Sequence, residues 1–195
     1  MARTGEVARK TAETEIALRL EIDGTGAAKI DTGVGFLNHM LTLLSKHGLM
    51  DLEVCCKGDL EVDAHHTVED IGLCLGQALR QAAGDKRGIA RYGTFYVPMD
   101  EALVRVALDF SGRPFFVLRG ELPYALLGQM DTQLVAEFFR AVAMEAGMTL
   151  HIDILSGENA HHVVEGAFKA FGRALRAALT LDAREKGIPS TKGSL

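Results

Sequence analysis

Ala64-His65-His66-Thr67-Val68-Glu69 opens a stretch that runs to Arg80, and Ala160-His161-His162-Val163-Val164-Glu165 opens another that runs to Arg176. Overlaid 96 positions apart, the two share Ala64, His65, His66, Val68, Glu69, Gly76, Ala78, Leu79 and Arg80, nine identities in seventeen positions. Chance supplies about one match in such a window, so the chain reads as a duplicated half-domain of roughly 90 residues. A solenoid needs about three units, whereas two suit a pseudo-twofold domain.

Outward from these segments, each half has the same coarse order. Ile16, Leu18, Leu20 and Ile22 alternate with polar residues over Glu15–Asp23, a half-buried strand. Phe36, Leu37, Met40, Leu41, Leu43 and Leu44 recur at helical spacing and stop at Gly48, the expected C-cap. Strands are expected over Leu52–Cys56 and Leu60–Val62, then a helix over His66–Ala83. The second half reads as strands over Tyr92–Pro98, Ala102–Phe110 and Phe115–Arg119, a helix over Thr132–Ala146, a strand over Thr149–Leu155 and a helix over His161–Leu181. Strands and helices do not alternate strictly, which favours a segregated α+β sandwich with helices on one face of mostly antiparallel or mixed sheets. The organisation is one domain over 1–195, with repeats at about 1–90 and 91–185 and a tail over 186–195. The breaker-rich tail, Gly187 to Leu195, suits neither helix nor strand and is expected to be mobile unless a ligand orders it.

Composition narrows the function. Of 195 residues, 48% are hydrophobic and 24% charged, the balance of an ordinary globular domain. A net charge of -5 provides no overall basic field for nucleic acid or an anionic membrane, so an anionic ligand must be held locally. The three cysteines, Cys55, Cys56 and Cys74, form no C-x-x-C pair, which favours a reducing compartment. The N-terminus lacks an apolar core, and no apolar run reaches about 18 residues, so neither a signal peptide nor a transmembrane helix is expected and the cytoplasm is.

The doubled His-His-x-x-Glu carries the chemistry. Residues four apart share a helix face while neighbours diverge by about 100°, so His65 and Glu69 converge on one ion and His66 points elsewhere. If the pseudo-twofold brings two such helix starts together, His65 and Glu69 join His162 around one ion, and His161 and Glu165 join His66 around another. Imidazoles and carboxylates without thiolate suit Mn²⁺, Fe²⁺ or Zn²⁺ better than Ca²⁺ or Mg²⁺. His39, on an otherwise apolar helix, is a further candidate. Its counterpart is Val135 counting back from His161, or Phe138 counting back from Gly147 against Gly48; Glu137 lies between them. Glu137 is therefore one candidate to complete the His65 site, and His151, in Thr149-Leu150-His151-Ile152, is the other. A dinuclear hydrolase would share this ligand chemistry but carry more Asp ligands, and a non-catalytic metal-storage protein is the other alternative.

Four motifs in order, Asp31-Thr32-Gly33-Val34-Gly35-Phe36-Leu37-Asn38-His39-Met40, Asp63-Ala64-His65-His66-Thr67-Val68-Glu69-Asp70, Glu158-Asn159-Ala160-His161-His162-Val163-Val164-Glu165 and Ile188-Pro189-Ser190-Thr191-Lys192-Gly193, resemble the imidazoleglycerol-phosphate dehydratase family. The likeness runs from about Arg9 to Leu195. It implies a duplicated α+β fold of the ribosomal protein S5 domain 2 type and two Mn²⁺ per active site, with Fe²⁺ or Zn²⁺ ranked lower. It also implies a large cage-like homo-oligomer of roughly 24 subunits, a 24-mer, with sites between subunits. The reaction implied is loss of water from D-erythro-imidazole glycerol phosphate, giving imidazole acetol phosphate in histidine biosynthesis. The resemblance carries the metal-ligand role onto His39, His65, His66, Glu69, His161, His162 and Glu165, with Glu137 as the eighth candidate. Ala64 stands where many members have an acid, and Glu137 where some have histidine. The same resemblance implies a phosphate clamp of His47, Arg91, Arg113, Lys169, Ser190, Thr191 and Lys192, arginine being suited to bidentate phosphate binding. Glu13 matches a substrate-contacting acid. It is also the expected general base, a task open to a carboxylate released from a metal, such as Glu69 or Glu165.

Overall fold

The computed structural model describes residues 2–195. The first half comprises β1 (Thr4–Lys10), β2 (Thr14–Glu21), β3 (Ala28–Asp31), α1 (Gly35–Gly48), β4 (Asp51–Gly58) and α2 (His65–Ala83). The second comprises β5 (Tyr92–Met99), β6 (Ala102–Asp109), β7 (Phe115–Arg119), a hairpin of β8 (Leu126–Leu127) and β9 (Met130–Asp131), α3 (Gln133–Ala146), β10 (Thr149–Ser156) and α4 (Ala160–Leu179). The sheets have matching orders, β1-β2-β4-β3 and β5-β6-β10-β7. In each the fourth strand is parallel and the rest antiparallel, β3 to β4 and β7 to β10. Each sheet buries one face, as the strict alternation in β2 shows. The helices lie between the two buried faces, α2 crossing to α3 and α1 to α4. The α+β expectation thus holds, with α1 and α2 on the first sheet facing α3 and α4 on the second.

Glycines set the crossings. A Cβ on Gly76 would lie 2.6 Å from the Val142 carbonyl oxygen, and one on Gly172 would lie 2.7 Å from that of Leu44. These are equivalent contacts: Gly76 and Gly172 are 96 apart, and Leu44 and Val142, like α1 and α3 themselves, are 98 apart. That spacing fixes the helical frame and puts Glu137 at the position of His39. It also corrects the C-cap: Gly48 is the last residue of α1, closing on Gly172, and Leu49 takes the left-handed φ of 51° that Gly147 takes (67°) after α3.

Two further expectations are corrected, and two strands stand where the sequence pattern predicts none. Leu60–Val62 is a turn, with the Val62 N–H donating to the Asp59 carbonyl at 2.8 Å, because β3 already occupies the free edge of β4. β1 and β3 carry too few inward apolar side chains to alternate visibly; in β1 one inward position is Gly5, pressed on the backbone of α2 at Ala78. The tail has no helix or strand, yet the chain itself holds it: the Gly88 N–H donates to the Gly187 carbonyl at 2.9 Å, and Arg91 donates to the Pro189 carbonyl at 2.8 Å.

Candidate metal centre

Both His-His-x-x-Glu motifs begin a helix where a polar side chain accepts first-turn N–H groups, the N-cap Asn159 in α4 and, in α2, Asp63 one residue before the N-cap Ala64. The Asp63 carboxylate accepts the His65 N–H at 2.7 Å; the Asn159 side chain accepts the N–H groups of His161, at 2.9 Å, and His162. With α2 and α4 starting at the motif, each His and the Glu four residues on share a face.

On α4 this face meets α1. His161 Nε2 lies 3.0 Å and His39 Nε2 3.3 Å from the same Glu165 oxygen, and the three ligating atoms fit within 4.8 Å of one another. Two imidazoles and a carboxylate at this spacing fit a borderline divalent ion. Burial raises the proton affinity of Glu165, but Lys169, 2.5 Å from its other oxygen, with His161 and His39, more than offsets this and holds the carboxyl below its usual range. The group is kept anionic.

On α2 the corresponding pair is looser, with His65 Nε2 3.7 Å from Glu69. Glu137, in the position of His39, bonds Arg140 at 2.5 Å instead. His151 lies on β10 between Leu150 and Ile152, both buried toward the helices, so it projects from the opposite face.

The remaining motif histidines face other acids. His66 Nδ1 lies 2.9 Å from Asp59, with Glu13 3.7 Å from Nε2; His162 Nδ1 lies 2.8 Å from Glu101, with Asp100 3.9 Å from Nε2. Hydrogen bonds to Asp59 and Glu101 raise the proton affinities of His66 and His162 above the usual histidine value, while Glu101 is held at about 2 by His162 and by backbone N–H groups. The two helix starts do not meet within a chain, because α2 packs on α3 and α4 on α1. One chain therefore assembles His39, His161 and Glu165, and separately His65 with Glu69, with His66 and His162 outside both groups.

The candidate anion-binding residues divide similarly. His47 on α1 has its proton affinity lowered by burial and then by the charges of Lys169 and Arg173 on α4, which marks one cationic cluster beside Glu165. Arg91 is held by Asp109 at 2.7 and 3.1 Å while it grips the tail at Pro189, and the final residue, Leu195, lies against Gly112. The segment bearing Ser190, Thr191 and Lys192 thus runs between Arg91 and the loop of Arg113. Ser190 Oγ accepts the Lys192 N–H at 3.2 Å, leaving the Lys192 ammonium exposed.

Sequence reasoning missed Asp59, Glu101 and Arg173. The signal for Glu101 was present: β1 and β2 recur 88 positions on as β5 and β6, which pairs Glu13 with Glu101. Arg173 follows Lys169 by one helical turn.

A model of the imidazoleglycerol-phosphate dehydratase family matches residues 32–175. The imidazoleglycerol-phosphate dehydratase of Acetivibrio thermocellus is 60% identical over 195 residues, all of both chains. The crystal structure of the Staphylococcus aureus enzyme superposes with a TM-score of 0.83 at 44% identity, over 92% of this chain and 99% of that one. That of the Pyrococcus furiosus enzyme, in complex with (S)-C348, gives 0.83 at 37% identity, over 97% and 100%. Among the described residues no helix is long and apolar enough to cross a membrane.

Proposed function

The chain belongs to the imidazoleglycerol-phosphate dehydratase family, and from that premise we propose which of its residues carry the reaction and how they assemble. It is a hydro-lyase that removes water from imidazoleglycerol phosphate in histidine biosynthesis. The observation that carries the proposal is the His39, His161 and Glu165 group, whose three ligating atoms lie within 4.8 Å of one another.

Residues 1–195 act as one catalytic domain in a cytoplasmic 24-mer, roughly 24 subunits, that closes each site across an interface. One subunit gives His39, His161, Glu165 and His162; its neighbour gives His65, Glu69, Glu137 and His66. His66 completes the ion site of the first three, and His162 that of His65, Glu69 and Glu137. Two Mn²⁺ fit these mixed imidazole and carboxylate sets, and when bound they supply Lewis acidity and a template for the substrate's ring nitrogens.

The other side chains act on the glycerol phosphate. Arg91, Arg113, His47, Lys169, Ser190, Thr191 and Lys192 hold the phosphate and so fix the distance of the side chain from the ring. D-erythro-imidazole glycerol phosphate loses hydroxide from the ring-adjacent carbon and a proton from the next. Glu13 takes that proton, and the enol left behind rearranges to imidazole acetol phosphate. With one Glu13 oxygen 3.7 Å from His66 Nε2, the base stands at the edge of the ion site.

Two substitutions test these assignments. Lys192→Ala removes a charged hydrogen bond to phosphate, worth roughly 1.5–3 kcal/mol, so kcat/KM should fall about ten- to a hundredfold with Mn²⁺ content unchanged. Loss of metal, or unchanged kcat/KM, would remove the tail from the clamp. Glu137→Ala should empty one of the two ions while His151→Ala empties neither, as metal analysis of the dialysed variants will read. The opposite pattern would give the eighth ligand to His151.

A further inference from the structure

The two halves orient their second histidines with acids that are not related by the repeat. In the second half, Glu101, from the turn between β5 and β6, accepts from His162 Nδ1 at 2.8 Å, and its other oxygen accepts the N–H groups of Asn159 and Glu158. The residue 88 positions earlier is Glu13, which does not take the corresponding place at His66. Asp59 takes it, at 2.9 Å from His66 Nδ1. Asp59 lies in the segment joining β4 to α2, and in the repeat alignment this segment carries two residues more than that joining β10 to α4: the strands are 98 apart and the His-His-x-x-Glu motifs 96. The Asp59 N–H also donates to the Glu13 carbonyl at 3.1 Å, which ties the added acid to the one it replaces.

From this geometry we infer that Asp59 and Glu101 are positioning residues that present His66 and His162 to metal through Nε2, and that Asp59 releases Glu13 from that task. A carboxylate only accepts, so the hydrogen bond places the proton on Nδ1 and leaves the Nε2 lone pair for an ion. The second Asp59 oxygen, Oδ1, is buried without a hydrogen-bond partner. Released from Nδ1, Glu13 faces the Nε2 side of His66, where the substrate would lie, while its repeat counterpart stays bound in the loop before α4. The duplication thus yields two ion sites of like build, in which the carboxylate on the Nε2 side is Glu13 at His66, 3.7 Å away, and the unrelated Asp100 at His162, 3.9 Å away.

This inference rests on His66 and His162 being ligands, and the experiment separates the two claims. Mn²⁺ affinity is measured on the whole oligomer by chelator competition, alongside the melting temperature of the metal-free protein. His66→Ala and His162→Ala should each lose one ion; if neither does, the ligand assignment fails, and with it the inference. With those controls met, Asp59→Ala and Glu101→Ala should each weaken one ion about ten- to a hundredfold. Asp59→Asn and Glu101→Gln, which keep an acceptor oxygen, should recover most of the affinity, and Glu13→Ala should leave it unchanged. Wild-type affinity in the alanine variants overturns the inference. So do amide variants as weak as alanine at an unchanged metal-free melting temperature, or a Glu13→Ala variant as weak as Glu101→Ala. If an alanine variant does not fold, Asp59→Leu or Glu101→Met, similar in size and without an acceptor, takes its place in the same comparison.

Discussion

Dialysis against a chelator at mildly acidic pH should remove essentially all dehydration activity, and Mn²⁺ should restore it. The ligands must be neutral imidazoles, so protons compete with the ion at every histidine. His66 and His162 compete hardest, because Asp59 and Glu101 raise their proton affinities in the metal-free chain. The sign follows: metal affinity is complete above these raised values and weakens as pH drops through them, so acid favours release. Activity and bound metal measured together from pH 8 to 5 should decline in step. Full turnover after the metal has gone would remove the centre from the mechanism.

Glu13→Gln should be the most damaging single change that leaves metal in place. The amide keeps the size and hydrogen-bonding reach of the carboxylate but cannot take a proton from carbon. Loss of a general base costs about 10²–10⁴-fold in rate, and it should fall on kcat with KM moving far less. The Glu13 N–H is held by the Thr11 hydroxyl at 3.1 Å, so the backbone places the variant side chain where the acid stood. Steady-state kinetics beside metal analysis will read this; an effect below tenfold would reassign the base.

The duplication was legible because it resides in identical residues at a fixed interval, and Gly76 and Gly172 show why: each lets a backbone pass where a side chain would collide. The frame of α1 against α3 was not legible, since it turns on Leu49 taking a left-handed conformation usual for glycine, one place beyond Gly48. β1 was missed because Gly5 contributes no side chain to an alternation. The ligand types and the i, i+4 logic of His161 and Glu165 could be read directly, whereas the arrival of His39 depended on the α1–α4 crossing. Glu101 escaped because it acts on a histidine 61 residues away, and Asp59 because the connection between it and His66 forms no regular element from which a shared face could be read. Only the fold shows that Asp59 displaces the repeat partner of Glu101.

The division of each site between two subunits is tested most directly by mixing two inactive proteins. His66→Ala lacks what one subunit lends, and His161→Ala lacks what its neighbour lends. Each homo-oligomer should be inactive. Co-expressed in equal amounts, the variants should recover about a quarter of wild-type activity, because one interface in four pairs an intact His161 with an intact His66. A mixture no more active than its two parents, with mixed assembly verified by mass, would place each site within a single chain and contradict the account.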